Sequence, residues 1–270
     1  MPESLELLGS AICVLDLETA KSADDCKHCG TAEDKHCEHF YTGQALACPG
    51  DWEIQLGITI PHYEKIGWDN KSALGLSIGC YYDYRDSRMH WFDVHTLAET
   101  VRGFVETQPL LVSFNGISFD FVLMRGLLRQ HAERVRLNDV PSGHVARTLD
   151  HAADRAGTIG DLCDAFKVLC ASSYDILAEI WKVDPARTFE PGLNSLDVIG
   201  QANGFGAKAM TGAIAPRDWR DGQYAKVLNY CQDDVLKTKA LFEQIVETGT
   251  VLRGDHAPIV LPRPALDTRC

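Results

Sequence analysis

The stretch AICVLDLET, residues 11–19, decides how the rest of the chain is read. From Ala11 to Leu17 it is a nearly continuous apolar run, the pattern of a strand buried on both faces, with carboxylates only at its end, Asp16 and Glu18. Side chains two apart along a strand share a face, so these two carboxylates point the same way. Two such groups a few ångströms apart repel each other unless a proton or a cation stands between them. Alone, an Asp-x-Glu at a strand end is most simply a solvated edge, and its weight comes from what stands further along the chain.

Working outward, ALGLSIGCYYDY (73–84) and RMHWFDV (88–94) read as two strands of a hairpin joined through Arg85, Asp86 and Ser87. A helix follows from Thr96 to Glu106. Leu110 to Phe114 is another short apolar strand, and beyond Asn115-Gly116 the period becomes helical through Phe119, Val122, Leu123, Leu127 and Leu128. Residues 138–165 are polar and loop-like with a short helix near their end, and Lys167 to Cys170 reads as the last short strand. Helices are expected over 174–181 and, behind an Asn194 N-cap, over 195–202. The last long helix, 222–248, carries Val227, Cys231, Val235, Leu241, Phe242 and Ile245 on one stripe and stops at Gly249. Strands early and helices late give an α/β domain with antiparallel hairpin strands beside a parallel portion.

Composition narrows the function classes. A chain of 270 residues supports one large domain, or a domain with an insert, and buries about three quarters of its unfolded surface. No apolar run approaches the roughly 20 residues that span a bilayer, so no membrane partner is expected. The start, MPESLELLGS, has acidic residues before its short apolar part, the wrong polarity for a signal peptide, and the expectation is an intracellular, cytoplasmic protein. With 26 Lys+Arg against 38 Asp+Glu the formal charge is −12, so global charge cannot attract nucleic acid. A nucleic-acid site must be local or built around cations.

Two further segments give the Asp-x-Glu its weight. In SFNGISFD (113–120) a buried strand turns through Asn-Gly and puts Asp120 at the start of a helix. In YCQDD (230–234) Tyr230 and Asp234 are four apart, on one helical face, while Asp233 points elsewhere as a solvated charge. In order and spacing, VLDLET, SFNGISFD and YCQDDV resemble the three motifs of the DEDD superfamily of 3′-5′ exonucleases, in the branch with a tyrosine. GWDNKSALGLSIGCYYD, SSYDILAEI, LNSL and residues 203–219 extend the resemblance to the stand-alone ribonuclease H-like exonucleases of bacteria and phages.

The resemblance implies a ribonuclease H-like mixed sheet flanked by helices, with residues 1–20 and 67–250 as the exonuclease domain, 21–66 as an insert and 251–270 as a C-terminal tail. It implies two divalent cations, Mg²⁺ or Mn²⁺, held by Asp16, Glu18, Asp120 and Asp234, whose hard oxygen ligands suit those ions. The implied activity is release of nucleoside monophosphates from the 3′ end of a single strand, DNA favoured over RNA. Tyr230 would orient the attacking water or help deprotonate it; tyrosine's reference pKa near 10 makes positioning the safer role. Thr19, Asn115, Phe119 and Lys208 are the candidate substrate contacts. Asn115 either pins its turn or touches the terminal nucleotide, Phe119 is either core or a base-stacking wedge, and Lys208 would meet a phosphate. Arg125, Arg129, Arg134 and Arg136 serve either the strand or a solubilising face. Two readings compete with the exonuclease: a structure-specific or endonucleolytic ribonuclease H-like nuclease, and a binding module that does not cut. Four mutually repelling carboxylates speak against the last.

The insert has its own chemistry. Cys26, Cys29, Cys37 and Cys48 crowd into it, with His36 and His39 beside them, and Cys-x-x-Cys followed by Gly is the knuckle of a structural zinc site. Zinc would take the four cysteines or exchange Cys37 or Cys48 for His36 or His39. Unliganded thiols and a disulfide are the other readings, the second disfavoured inside the cell. Such an insert would steer nucleic acid or hold a protein partner from replication or repair. The remaining six cysteines are ordinary small residues.

Overall fold

The computed structural model describes residues 10–25, 66–138, 159–187, 190, 192–207 and 212–266. A mixed five-stranded sheet lies at its centre, in the order β3-β2-β1-β4-β5. β1 (Ile12–Thr19) pairs antiparallel with β2 (Leu76–Asp83), in register from Cys13 opposite Asp83 to Thr19 opposite Leu76, with an irregularity between Glu18 and Thr19. β3 (Arg88–Phe92) completes the expected hairpin. On its other side β1 runs parallel to β4 (Leu110–Ser113), which runs parallel to the two-residue β5 (Tyr174–Asp175). The apolar run of β1 follows from this central place, since helices cover both of its faces.

Ile12 and Val14 face one core, shared with Ile78, Cys80, Val227, Cys231 and Val235; Cys13, Leu15 and Leu17 face the other, with Phe104, Leu123, Met124 and Phe166. The second core is closed by α2 (Leu97–Thr107), by α3 (Asp120–Asn138) and by α4, helical over 159–171. A short helix, α1 (Lys71–Leu74), leads into β2 and rests on α3. The first core is closed by α5 (Ile176–Val183), α6 (Leu196–Ala202), α7 (Ala215–Arg220) and above all by α8 (Tyr224–Thr248). α8 ends where Gly249 takes a left-handed conformation and donates to the Ile245 carbonyl at 2.8 Å.

Three local expectations give way. Lys167 to Cys170 is helix, not strand: Leu162, Phe166, Leu169 and Cys170 bury one side of α4 while Lys167 and Val168 stay exposed, a period of three to four. The last strand of the sheet is β5, whose two residues are too few to show a period. The cap of α6 is Ser195, whose hydroxyl accepts from Val198 N–H at 3.2 Å, in place of Asn194. Beyond α8, β6 (Thr250–Leu252) and β7 (Pro258–Val260) form a hairpin that buries Val251 and Ile259 in the α8 core. The Tyr174 hydroxyl donates to the Pro262 carbonyl at 2.7 Å and ties this end of the chain to β5. Among the described residues no helix is long and apolar enough to cross a membrane.

Candidate metal and catalytic site

β1 delivers Asp16 and Glu18 on the face that α8 crosses. The Cys231 thiol donates to the Asp16 carbonyl at 3.4 Å, which sets that turn of α8 against the strand. One residue before Cys231 stands Tyr230, and one turn beyond Tyr230 stands Asp234, both buried. Carboxylate oxygens of Asp16, Glu18 and Asp234 lie within 4.8 Å of one another. Three negative charges at that spacing are costly without a counter-charge, and their oxygens are the donors that Mg²⁺ and Mn²⁺ take.

Asp120 arrives through the turn after β4. Asn115 adopts φ 74°, a left-handed conformation that asparagine tolerates better than most residues. Asp175, buried at the end of β5, holds the turn: its carboxylate accepts from the N–H groups of Asn115 (3.0 Å) and Ile117 (2.8 Å) and from the Ser113 hydroxyl (3.4 Å). The same carboxylate caps α5 by accepting from Ala178 N–H at 3.1 Å. A Cβ on Gly116 would stand 2.4 Å from Ser113 Oγ and 3.3 Å from Asp120 Oδ2, so glycine alone fits here. The turn leaves Asp120 only 3% exposed at the start of α3, beside the close set of three carboxylates, where it also accepts from the backbone N–H of Leu17. Burial first, then the charges of Asp175 and Asp234, raise its pKa from 3.8 to about 7.

The Tyr230 phenol is pushed far above its ordinary value of 10, by burial first and then by Asp234, Glu18 and Asp16. Without cations it therefore stays protonated at neutral pH, a hydrogen-bond donor, in keeping with the positioning role. Gly212 lies so close that a Cβ there would sit 3.4 Å from the Tyr230 hydroxyl oxygen.

No protein-family model, curated protein or solved structure matches the chain.

The other expected residues fall as follows. Thr19 sits half-buried beside Glu18 at the irregular end of β1. Asn115 pins its turn through backbone groups. Phe119 packs partly against Ala23, Ile66 and Leu74, and its outer side meets Trp68, with ring centroids 6.2 Å apart. Trp68 itself is 68% exposed. Arg125 is half-buried and Arg129 exposed on α3, while the side chains of Arg134 and Arg136 are outside the described set. Lys208 and all six zinc candidates, Cys26, Cys29, His36, Cys37, His39 and Cys48, lie outside the described residues. What is described is the stem of the insert: Ile66 N–H donates to the Asp25 carbonyl and Gly67 N–H to the Ala23 carbonyl, both at 2.9 Å. The buried Asp25 carboxylate pairs with Arg220 of α7, tying the stem to the wall of the site.

Sequence reasoning gave no role to Asp175 or Trp68. For Asp175 a signal existed, an aspartate directly ahead of the apolar run Ile176-Leu177, the pattern of an N-cap. Trp68 stands in the stretch from Gly67 to Asp83 that carries part of the family resemblance, but nothing in its spacing marks it out.

Proposed function

We propose that the protein is a divalent-metal-dependent 3′-5′ exonuclease of the ribonuclease H-like DEDD type, tyrosine branch, acting on single-stranded ends with DNA favoured. The observation that carries this reading is the convergence of Asp16, Glu18 and Asp234 oxygens within 4.8 Å beside a buried Asp120 held near pKa 7. Such a cluster stores repulsion that a divalent cation relieves. The strand order, a three-stranded antiparallel portion joined through β1 to two parallel strands, supports a ribonuclease H-like sheet. The donor set fits Mg²⁺ or Mn²⁺, and a pair of such ions held by Asp16, Glu18, Asp234 and Asp120 would supply an activated water and stabilise the leaving 3′ oxygen.

The chain's own residues do the rest. Asp120, with its pKa raised to about 7, is partly protonated at neutral pH without cations, and bound cations would favour its ionised form. Tyr230, whose phenol is held protonated in the metal-free cluster, would offer its O–H to an oxygen of the attacking water or of the phosphate. Phe119, one residue before Asp120, meets Trp68 of the stem, and these two rings offer faces on which an unstacked base could lie. The Cys/His segment is read as a structural zinc site on spacing alone, and a replication or repair protein is the partner class it suits.

Digestion of 5′-labelled single strands, DNA and RNA in parallel, with open or blocked 3′ ends and Mg²⁺, tests the reading. Products shortened one nucleotide at a time from open ends only are expected. Internal cuts would favour an endonuclease, and an absence of cleavage would favour a binding module.

A further inference from the structure

The sheet face opposite Asp16, Glu18 and Asp234 carries a cleft of about 360 Å³ between α1, the first turn of α2 and the middle of α3, the helix that Asp120 begins. Among the described residues its charged and titratable lining is basic only, Lys21, His95 and His131, with no Asp or Glu, in a chain where those residues outnumber Lys and Arg by 38 to 26. The nearest acidic side chain on the same loop, Asp93, is engaged by the N–H groups of His95 and Thr96 and by the Thr96 hydroxyl. The floor is apolar, formed by Leu76, Leu97 and Leu127. Basic groups over an apolar floor suit an anion with an apolar body, and the volume suits one nucleotide, phosphate to the bases and nucleobase to the leucines.

The cleft is tied to the catalytic strand. Lys21 follows Glu18 by three positions, and its N–H donates to the Leu74 carbonyl at 2.9 Å, fixing it beside α1. α1 stands between the two regions. Ala73 touches the Phe119 cluster and also lines the cleft, and Ser72 is seated over Gly126 of α3, where a Cβ would come within 2.6 Å of Ser72 Cβ. From Asp120 to His131 along α3 the rise is about 16 Å at 1.5 Å per residue. A strand whose 3′ end lies at the carboxylates must extend several nucleotides before it reaches the cleft.

We propose that this cleft is a second subsite for the same strand, holding an upstream nucleotide by its phosphate and base. The proposal rests on the exonuclease reading and adds a dependence on length to it. Lys21→Ala/His131→Ala is the variant that tests it, since neither side chain belongs to the carboxylate site. Binding of labelled oligothymidylates of 3 and 14 nucleotides is followed by anisotropy in EDTA, and hydrolysis of the trimer with Mg²⁺ is followed separately. In the wild type the longer strand should bind more tightly. In the variant that advantage should fall roughly ten-fold, with a shallower salt dependence, while the trimer binds and is cut as before. An unchanged affinity for the long strand overturns the proposal. Tight binding of free thymidine monophosphate, lost in the variant while the long strand still binds normally, overturns it too, by making the cleft a pocket for free nucleotide. A wild type that cuts neither substrate fails the exonuclease reading, whatever the binding comparison gives.

Discussion

The two faces of β1 solve opposite problems with one strand. Toward α2 and α3, Cys13, Leu15 and Leu17 stay apolar to the end, none more than 4% exposed, and add burial to the ladders that pair the strand with β2 and β4. Toward α8, Ile12 and Val14 begin the same way and then give way to Asp16 and Glu18, which face Asp234. The comparison teaches that the site is carried at the expense of stability: one face supplies the burial that lets the other hold like charges together.

Removing one charge should break the symmetry most strongly. Asp234→Asn should lower kcat on an open 3′ end on the order of 10³-fold, because several kcal/mol of transition-state stabilisation leave with the ligand. The same variant should unfold at a higher temperature than wild type when both are free of divalent ions. A lower unfolding temperature in EDTA would show that the carboxylates do not repel in the way described. On the opposite face, Leu15→Ala should cost about 2–5 kcal/mol in denaturant unfolding and leave kcat per folded molecule unchanged. If kcat fell with stability, the two faces would not be separable.

Next in size is the turn that links the faces. Asp175→Ala leaves the N–H groups of Asn115, Ile117 and Ala178 without their acceptor, at about 1–3 kcal/mol for each that stays buried. Activity should fall as well, since Asp120 loses the turn that places it. Retained activity with intact stability would remove Asp175 from the account.

The smallest effect is a pH slope. Asp120 has a folded pKa of about 7 against an ordinary 3.8, so between those values the folded state binds a proton that the unfolded state has released. Its contribution is neutral below pH 3.8, becomes destabilising as pH rises toward 7, and is constant above that. In EDTA, the difference in unfolding free energy between wild type and Asp120→Asn should therefore widen from pH 4 to pH 7, with Asp120→Asn gaining. Saturating Mg²⁺ should remove the slope, and a difference independent of pH in EDTA would mean that Asp120 ionises normally.

The parts of this arrangement that the sequence showed are those with a strong local period or a distinctive turn. β1 announced itself by its apolar run, the β2–β3 hairpin by two strands around 85–87, α8 by a long stripe and the Asp120 turn by Asn115-Gly116. What stayed hidden depends on partners distant in sequence. Asp175 accepts from residues 58 and 60 positions away, and no spacing rule points from one to the other. β5 and the β6–β7 hairpin have strands of two or three residues, which exist because a neighbouring strand or α8 is there to receive them. α4 misled because Val168-Leu169-Cys170 is apolar without a break, although only Leu169 and Cys170 are buried. In the site, motif spacing brought out the four carboxylates and Tyr230, while the raised pKa of Tyr230 follows from its burial among them.

The most direct test is a titration of Mn²⁺ into metal-free protein followed by calorimetry, wild type beside Asp16→Asn. If the end of β1 is a cation receptor, the wild type should bind Mn²⁺ saturably, with release of a proton near pH 6.5 and a rise in unfolding temperature, and Asp16→Asn should lose that binding. Equal binding by both proteins, or a wild type that Mn²⁺ does not stabilise, would contradict the account.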